Sequence, residues 1–259
     1  MNENLFLSLL FLLFILFIMI VTDGDIIDDA KILKNTVWDG YEKNAGAHYY
    51  AYSPYKTEYS KVEGNIKLPD SLNTNNGKRN AYISFGVLGL YGAINTGIMN
   101  SGKGWLPFYY DNKSQKIVTF KDNYAPEGTK LVNIEVKVTS LRIINFSLKY
   151  MNRNLITLKT FKTEIDASHL LVYENDEVKL RFFRFVSMPP IEKDDQNDGT
   201  FMIGGEFNEL KITKNEINEL WGIQGDNIDV SWLVSSKRIE VNIQDDQESF
   251  SIEHKKKNK

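Results

Sequence analysis

Hydrolysis of a glycosidic bond takes two carboxyl groups about 5–9.5 Å apart, one of them able to give a proton. Glu206 is the acid/base candidate of this sequence, at the head of a strand-like stretch over 207–212 with Glu209 three residues on. In a regular strand that spacing sends the two side chains to opposite faces. A partner for Glu206 would then come from another part of the chain, such as Glu135. A second oxygen-rich group is the loop Asp194-Asp-Gln-Asn-Asp-Gly199. Asp194, Gln196 and Asp198 followed by Gly199 imitate the first half of a calcium loop, but the closing position falls on Gly205 and not on Glu206. Asp194 and Asp198 are thus the candidate calcium ligands, with a solvated turn as the alternative.

Aromatic rings offer a third kind of chemistry. Glycines at 86, 89, 92, 97, 102 and 104 alternate with Phe85, Tyr91 and the run Trp105-Leu-Pro-Phe-Tyr-Tyr110. Aromatic faces stack on the C–H faces of sugar rings, which makes Trp105, Tyr109 and Tyr110 the candidate ligand platform. In a strand Tyr109 and Tyr110 point to opposite faces, so at most one of them serves the core. Gly102-Lys103-Gly104 lacks the spacing of a phosphate loop. The three histidines, His48, His169 and His254, show no H-E-x-x-H spacing, and no G-x-S-x-G elbow accompanies a serine. The chain has no cysteine, which excludes disulfides, thiol nucleophiles, thiolate-bound metal and a lipid-modified cysteine.

These groups must be carried by strands. At 131–138, Val132, Ile134, Val136 and Val138 alternate with Asn133, Glu135 and Lys137, the period of a half-buried strand. Residues 239–243 and 250–252 repeat the pattern on either side of a polar stretch and predict a hairpin. Further short strands recur between Gly, Asn, Asp and Pro from 48 to 234. One short helix is signalled by the capping box Thr213-x-x-Glu216, with Ile217, Leu220 and Trp221 on one face and Gly222 as the stop. Two stacked antiparallel sheets would bury the alternating apolar sides. The expected fold is all-β, a two-sheet sandwich of jelly-roll kind. The glycine–aromatic pattern over residues 47–252 resembles concanavalin-A-type sandwiches. It lacks the E-x-D-x-x-E carboxylate pattern of their glucanases, so the resemblance implies the fold and not that catalysis.

Residues 5–21 are apolar except for Ser8. As a helix this run would span roughly 25 Å, near the lower limit for crossing a bilayer and slightly longer than the core of a secretory signal. No Lys or Arg flanks it closely, which permits export of the residues C-terminal to it. The reading is a signal peptide or signal anchor over 1–24, cut near Gly24 or retained, and one sandwich domain over 25–259, secreted or held outside the membrane. The net charge of -3, from 31 basic and 34 acidic residues, shows no basic stripe and excludes a nucleic-acid binder. The expected function is a carbohydrate-binding module, with a glycan or polysaccharide as partner. A polysaccharide-cleaving hydrolase or lyase and a structural or adhesive surface protein are the alternatives.

Overall fold

Alternating apolar side chains become two antiparallel sheets in the computed structural model. It describes residues 47–54, 59–139, 142–171, 173–174, 177–178, 180–189, 198–222, 230–234, 238–244 and 247–254. The apolar run 5–21, the cut site near Gly24 and Asp194 lie outside the described residues. Among the described residues no helix is long and apolar enough to cross a membrane.

The first sheet has seven strands in the order β16 (Val230–Val234), β1 (Ala47–Tyr52), β13 (Arg181–Met188), β4 (Ala81–Gly89), β5 (Gly92–Asn100), β6 (Trp105–Asp111) and β7 (Lys116–Thr119). The second runs β10 (Thr157–Asp166), β9 (Ile143–Met151), β8 (Leu131–Val138), β2 (Tyr59–Lys67), β14 (Phe201–Lys214), β18 (Gln247–Glu253) and β17 (Ile239–Gln244). Two short strands, β3 (Ser71–Asn73) and β15 (Ile217–Leu220), also pair with β14, making nine. A separate ribbon joins β11 (Tyr173–Glu174) to β12 (Glu177–Val178). The expected two-sheet sandwich and the β17–β18 hairpin are both present.

The inward residues of the two sheets share one core. Val62 and Ile66 of β2, Val132, Ile134 and Val136 of β8 and Phe207 of β14 meet Ile83 and Phe85 of β4, Ile98 of β5 and Phe182 of β13. Burial of this kind contributes about 1.5–3 kcal/mol for each large aliphatic or aromatic side chain. The middle strands of the seven-stranded sheet, β1, β13 and β5, are buried on both faces. Tyr50, Phe183, Phe185 and Phe108, on the face away from this core, are buried as Tyr49 and Phe85 are. Gly86 belongs to that crowding, because a Cβ there would stand 2.1 Å from the Phe183 ring.

A charged pair crosses the core. Arg184 of β13 donates from Nη2 to Glu248 Oε2 of β18 at 2.6 Å, with Nε shared between both carboxylate oxygens. Its guanidinium lies 4.9 Å from the centre of the Trp221 ring. Burial pushes the neighbouring Tyr49 hydroxyl well above the usual phenol range, and the Glu248 carboxylate adds to it.

The expected helix after Thr213 is a β-hairpin. Asn215 and Glu216 both take positive φ, 47° and 66°, the combination of a type I′ turn, which reverses the chain where a helix would continue it. β14 and β15 then pair from Lys214↔Ile217 to Lys211↔Leu220, and the Thr213 hydroxyl donates across to Asn218 Oδ1 at 2.7 Å. Ile217 and Leu220 are exposed while Trp221 is sealed in the core, so the three do not form one helical face.

Candidate functional site

The outward side chains in the middle of the nine-stranded sheet are polar and aligned in rows. On β2, Lys61, Glu63, Asn65 and Lys67 alternate with the buried Val62, Gly64 and Ile66. Register sets Asn65 opposite Asn133 of β8 and Asn208 of β14, and Asn133 opposite Lys149 of β9. Residues directly opposite in adjacent strands share a face about 4.8 Å apart. Asn208, Asn65, Asn133 and Lys149 therefore form a polar row across four strands.

A defect in β14 completes the row. Between Asn208 and Lys211 the pairing with β2 gains one residue on the β14 side, and Glu209 takes φ 53°. Such a bulge re-aims side chains. Leu210 turns into the core beneath Gly64, whose missing Cβ leaves room for it. Glu209 turns outward and accepts a hydrogen bond from Asn65 Nδ2 at 2.7 Å. Asn65 Oδ1 in turn accepts from Asn133 Nδ2 at 3.0 Å, and Asn133 Nδ2 also reaches the Gly64 carbonyl at 3.4 Å. Each amide is thus fixed in one orientation. Asn208 Oδ1 is shielded from water and has no hydrogen-bond partner among the described residues.

Glu206 lies on the same face. Lys67 Nζ donates to Glu206 Oε1 at 2.7 Å and to Asp70 Oδ2 at 3.2 Å. The hydrogen bond to Glu206 is the main reason that the Lys67 ammonium titrates above its ordinary value. One row further, Lys61 pairs with Glu63 at 2.9 Å and Glu135 at 3.7 Å. The sequence rule that separated Glu206 from Glu209 holds for a regular strand. The bulge breaks it, and the two carboxylates flank Lys67 and Asn65, which are two residues apart on one face of β2. Both act as hydrogen-bond acceptors in this arrangement.

The three rings expected to form a platform are divided by the seven-stranded sheet. Trp105 is only 9% exposed and belongs to the core between the sheets, and half-buried Tyr109 packs against that core. Half-buried Tyr110 lies on the opposite face with Met99, Leu106 and Phe108. Period two explains it: 105 and 109 share parity, and 110 does not.

Asp198 is already engaged. It accepts from Arg79 Nε at 3.0 Å, from the Thr200 amide at 2.9 Å and from the Thr200 hydroxyl at 2.6 Å. Burial opposes its charge, but these donors prevail and hold its carboxyl below the usual range. Among the described residues no three His, Asp or Glu side chains come together as metal ligands.

Two histidine contacts were invisible in the sequence. Ser187 Oγ lies 2.6 Å from His48 Nδ1, and burial, with His254 and Arg79 nearby, lowers the His48 pKa to about 3. Asp111 Oδ2 accepts from Ser114 Oγ at 2.7 Å and lies 2.9 Å from His169 Nε2. The residue types of a triad meet there in the wrong order, since the aspartate sits between serine and histidine and the serine proton goes to the carboxylate and not to the imidazole.

No protein-family model matches the sequence, and no curated protein matches it. Solved structures do. Scytalido-glutamic peptidase with a transition state analog inhibitor superposes with a TM-score of 0.54 at 12% identity, over 82% of this chain and 98% of that one. The same peptidase with a peptide based transition state analog gives 0.55 at 10% identity over 80% and 99%. SCP-B, a member of the eqolisin family of peptidases in complex with the tripeptide Ala-Ile-His, gives 0.51 at 10% identity over 80% and 99%. At these identities the likeness is one of fold: this chain folds as the two-sheet sandwich that those peptidases share.

Proposed function

We propose that this protein is an exported carbohydrate-binding domain whose ligand face is the outer side of the nine-stranded sheet. The observation that carries the reading is the pre-oriented row Glu209–Asn65–Asn133, held by hydrogen bonds of 2.7 and 3.0 Å and aimed outward by the bulge at Glu209. Sugar hydroxyls both donate and accept, and planar amides beside carboxylates and ammonium groups match them in both directions. Export is supported by the apolar run 5–21, and the ligand would meet the domain outside the membrane. The test is a glycan array followed by calorimetry on the hit. Asn65→Ala with Asn133→Ala removes binding while the melting temperature stays close to that of the parent. Unchanged binding by the double variant sinks the reading.

A second reading, cleavage of the bound polymer, is favoured by one observation: the bulge brings Glu206 and Glu209 to the same face. Release of reducing ends that disappears in both Glu206→Gln and Glu209→Gln would establish it. The peptidases that share the fold make peptide cleavage the companion assay with the same two variants. Binding without turnover of either polymer leaves the first reading.

A further inference from the structure

The β9–β10 hairpin ends in residues that the core does not use. Leu155 is 63% exposed, Ile156 57% and Leu158 40%, all within one turn and the start of one strand. The turn itself is well built. The Leu155 amide donates to the Asn152 carbonyl at 3.1 Å, and Asn152 Oδ1 accepts from the amides of Asn154 at 2.9 Å and Ile156 at 3.1 Å. Leu155 stands at φ 61°, the left-handed position that such a turn usually gives to glycine or asparagine. A branched apolar residue there costs backbone strain and gains no burial within the domain. Leu158 sits where the β9–β10 register shifts between Thr157 and Lys159, so its side chain also departs from the regular alternation.

Cations surround this tip. Arg153 is in the turn, and exposed Lys149 and half-exposed Lys159 flank it on the two strands. Lys130, also exposed, donates its amide to the Met151 carbonyl at 2.9 Å, and Lys159 Nζ reaches the Asp122 carbonyl at 3.0 Å, which brings up the segment carrying Lys121. Segments 121–130 and 149–160 hold five Lys or Arg against the two carboxylates Asp122 and Glu127. None of the five forms an ion pair with a described carboxylate.

Aliphatic side chains on a rigid tip inside a ring of cations match a surface with negative headgroups above an apolar interior. We propose that the β9–β10 tip is a membrane-contact site, in which Leu155, Ile156 and Leu158 enter the headgroup–acyl boundary of an anionic bilayer while Lys130, Lys149, Arg153 and Lys159 pair with its phosphates. A protein partner would present carboxylates to these cations in a fixed geometry, whereas cations spread around the tip with no carboxylate partner among the described residues suit a laterally mobile anionic surface.

The chain has no cysteine, so Ile156→Cys carries a single environment-sensitive dye in the full-length protein. With phosphatidylcholine vesicles containing phosphatidylserine, the dye emission shifts to the blue and is quenched by lipids brominated on the acyl chain. Pure phosphatidylcholine gives a weaker response, and high salt weakens the anionic one. The same dye at Ile217→Cys, on the exposed β14–β15 hairpin, does not shift. Leu155→Ser with Leu158→Ser in the Ile156→Cys background raises the lipid concentration needed for half the shift about tenfold or more. The reporter reads the tip itself, so vesicle capture by the apolar run 5–21 alone leaves the dye unshifted and overturns the proposal. An equal shift at both hairpins overturns it, as does a shift that rises with protein concentration in the absence of lipid.

Discussion

The two sheets of this sandwich are built to different rules. The seven-stranded sheet is closed on both faces through its middle: every residue of β1, β5 and β13 is buried, polar ones included, while the edge strand β7 is open to water. The nine-stranded sheet is closed on one face and largely polar on the other, as β8 shows by burying every second residue. A sheet covered on both sides tolerates little change in volume or charge. A sheet open on one side can vary its outward residues freely, and this chain has set amides and carboxylates there in a hydrogen-bonded row. The contrast leaves the outward face of the second sheet as the one that can change without disturbing the core, which is where the proposed ligand row lies.

Removing charge from the closed region would break the molecule most severely. Glu248→Ala leaves the Arg184 guanidinium buried without its carboxylate, and is expected to cost about 3–5 kcal/mol in denaturant unfolding. Replacing both partners by apolar residues of similar volume is expected to recover most of that loss. A full-sized loss in the double variant as well would show that the pair does more than neutralise itself.

Acid acts on the same closed sheet through His48. Its pKa falls from 6.5 unfolded to about 3 folded, so between those values the unfolded chain holds a proton that the native one does not. Stability therefore declines as pH drops from about 6.5 towards 3, by at most about 1.4 kcal/mol per pH unit. Phe is close in size to the imidazole, and His48→Phe is expected to flatten the decline in that window, read by thermal unfolding against pH. An undiminished slope would move the effect to other groups.

The same contrast decides what could be read from the sequence. Strands open to water on one side show strict alternation, and 131–138 and the 239–252 hairpin were legible for that reason. In the closed sheet the pattern vanishes, because both parities are buried, and Ser84, Asn95 and His48 lie among rings as inaccessible as their neighbours. That hid the role of Trp105: an aromatic in a glycine-rich stretch serves equally well as core or as surface. Carboxylate geometry was hidden by a single residue, since the extra position at Glu209 reverses the parity between Glu206 and Glu209. The Thr213–Glu216 capping box misled because a type I′ turn at Asn215-Glu216 leaves the same polar signature as a helix start.

Outside the closed core the sign of a substitution reverses. Leu155 holds a left-handed backbone at a cost of about 1–2 kcal/mol and gains no burial to offset it. Leu155→Gly relieves that strain but adds about 0.5–1 kcal/mol of chain entropy to be lost on folding. The expected outcome is a protein more stable by about 0.5–1 kcal/mol in a denaturant titration, and one that contacts anionic vesicles less well. A destabilised variant would mean that the leucine packs on something the domain needs.

The smallest effect on stability is expected where the effect on binding is largest. Asn65→Ala with Asn133→Ala removes two hydrogen bonds from a surface that water reaches, and the freed groups are resolvated rather than stranded. Each such bond contributes about 0.5–1.5 kcal/mol when buried and less when exposed. The pair should therefore change unfolding by no more than about 1 kcal/mol. Glu209 makes the comparison sharper. Its positive φ is a cost of the bulge, and with Asn65 gone the carboxylate loses the partner that fixes it. A glycan that bound the row through pre-oriented groups would lose affinity in Asn65→Ala even if it touched only Glu209. One that bound Glu209 as a plain charge would lose affinity in Glu209→Gln alone. Measuring both variants against the same ligand separates a built site from a merely polar surface.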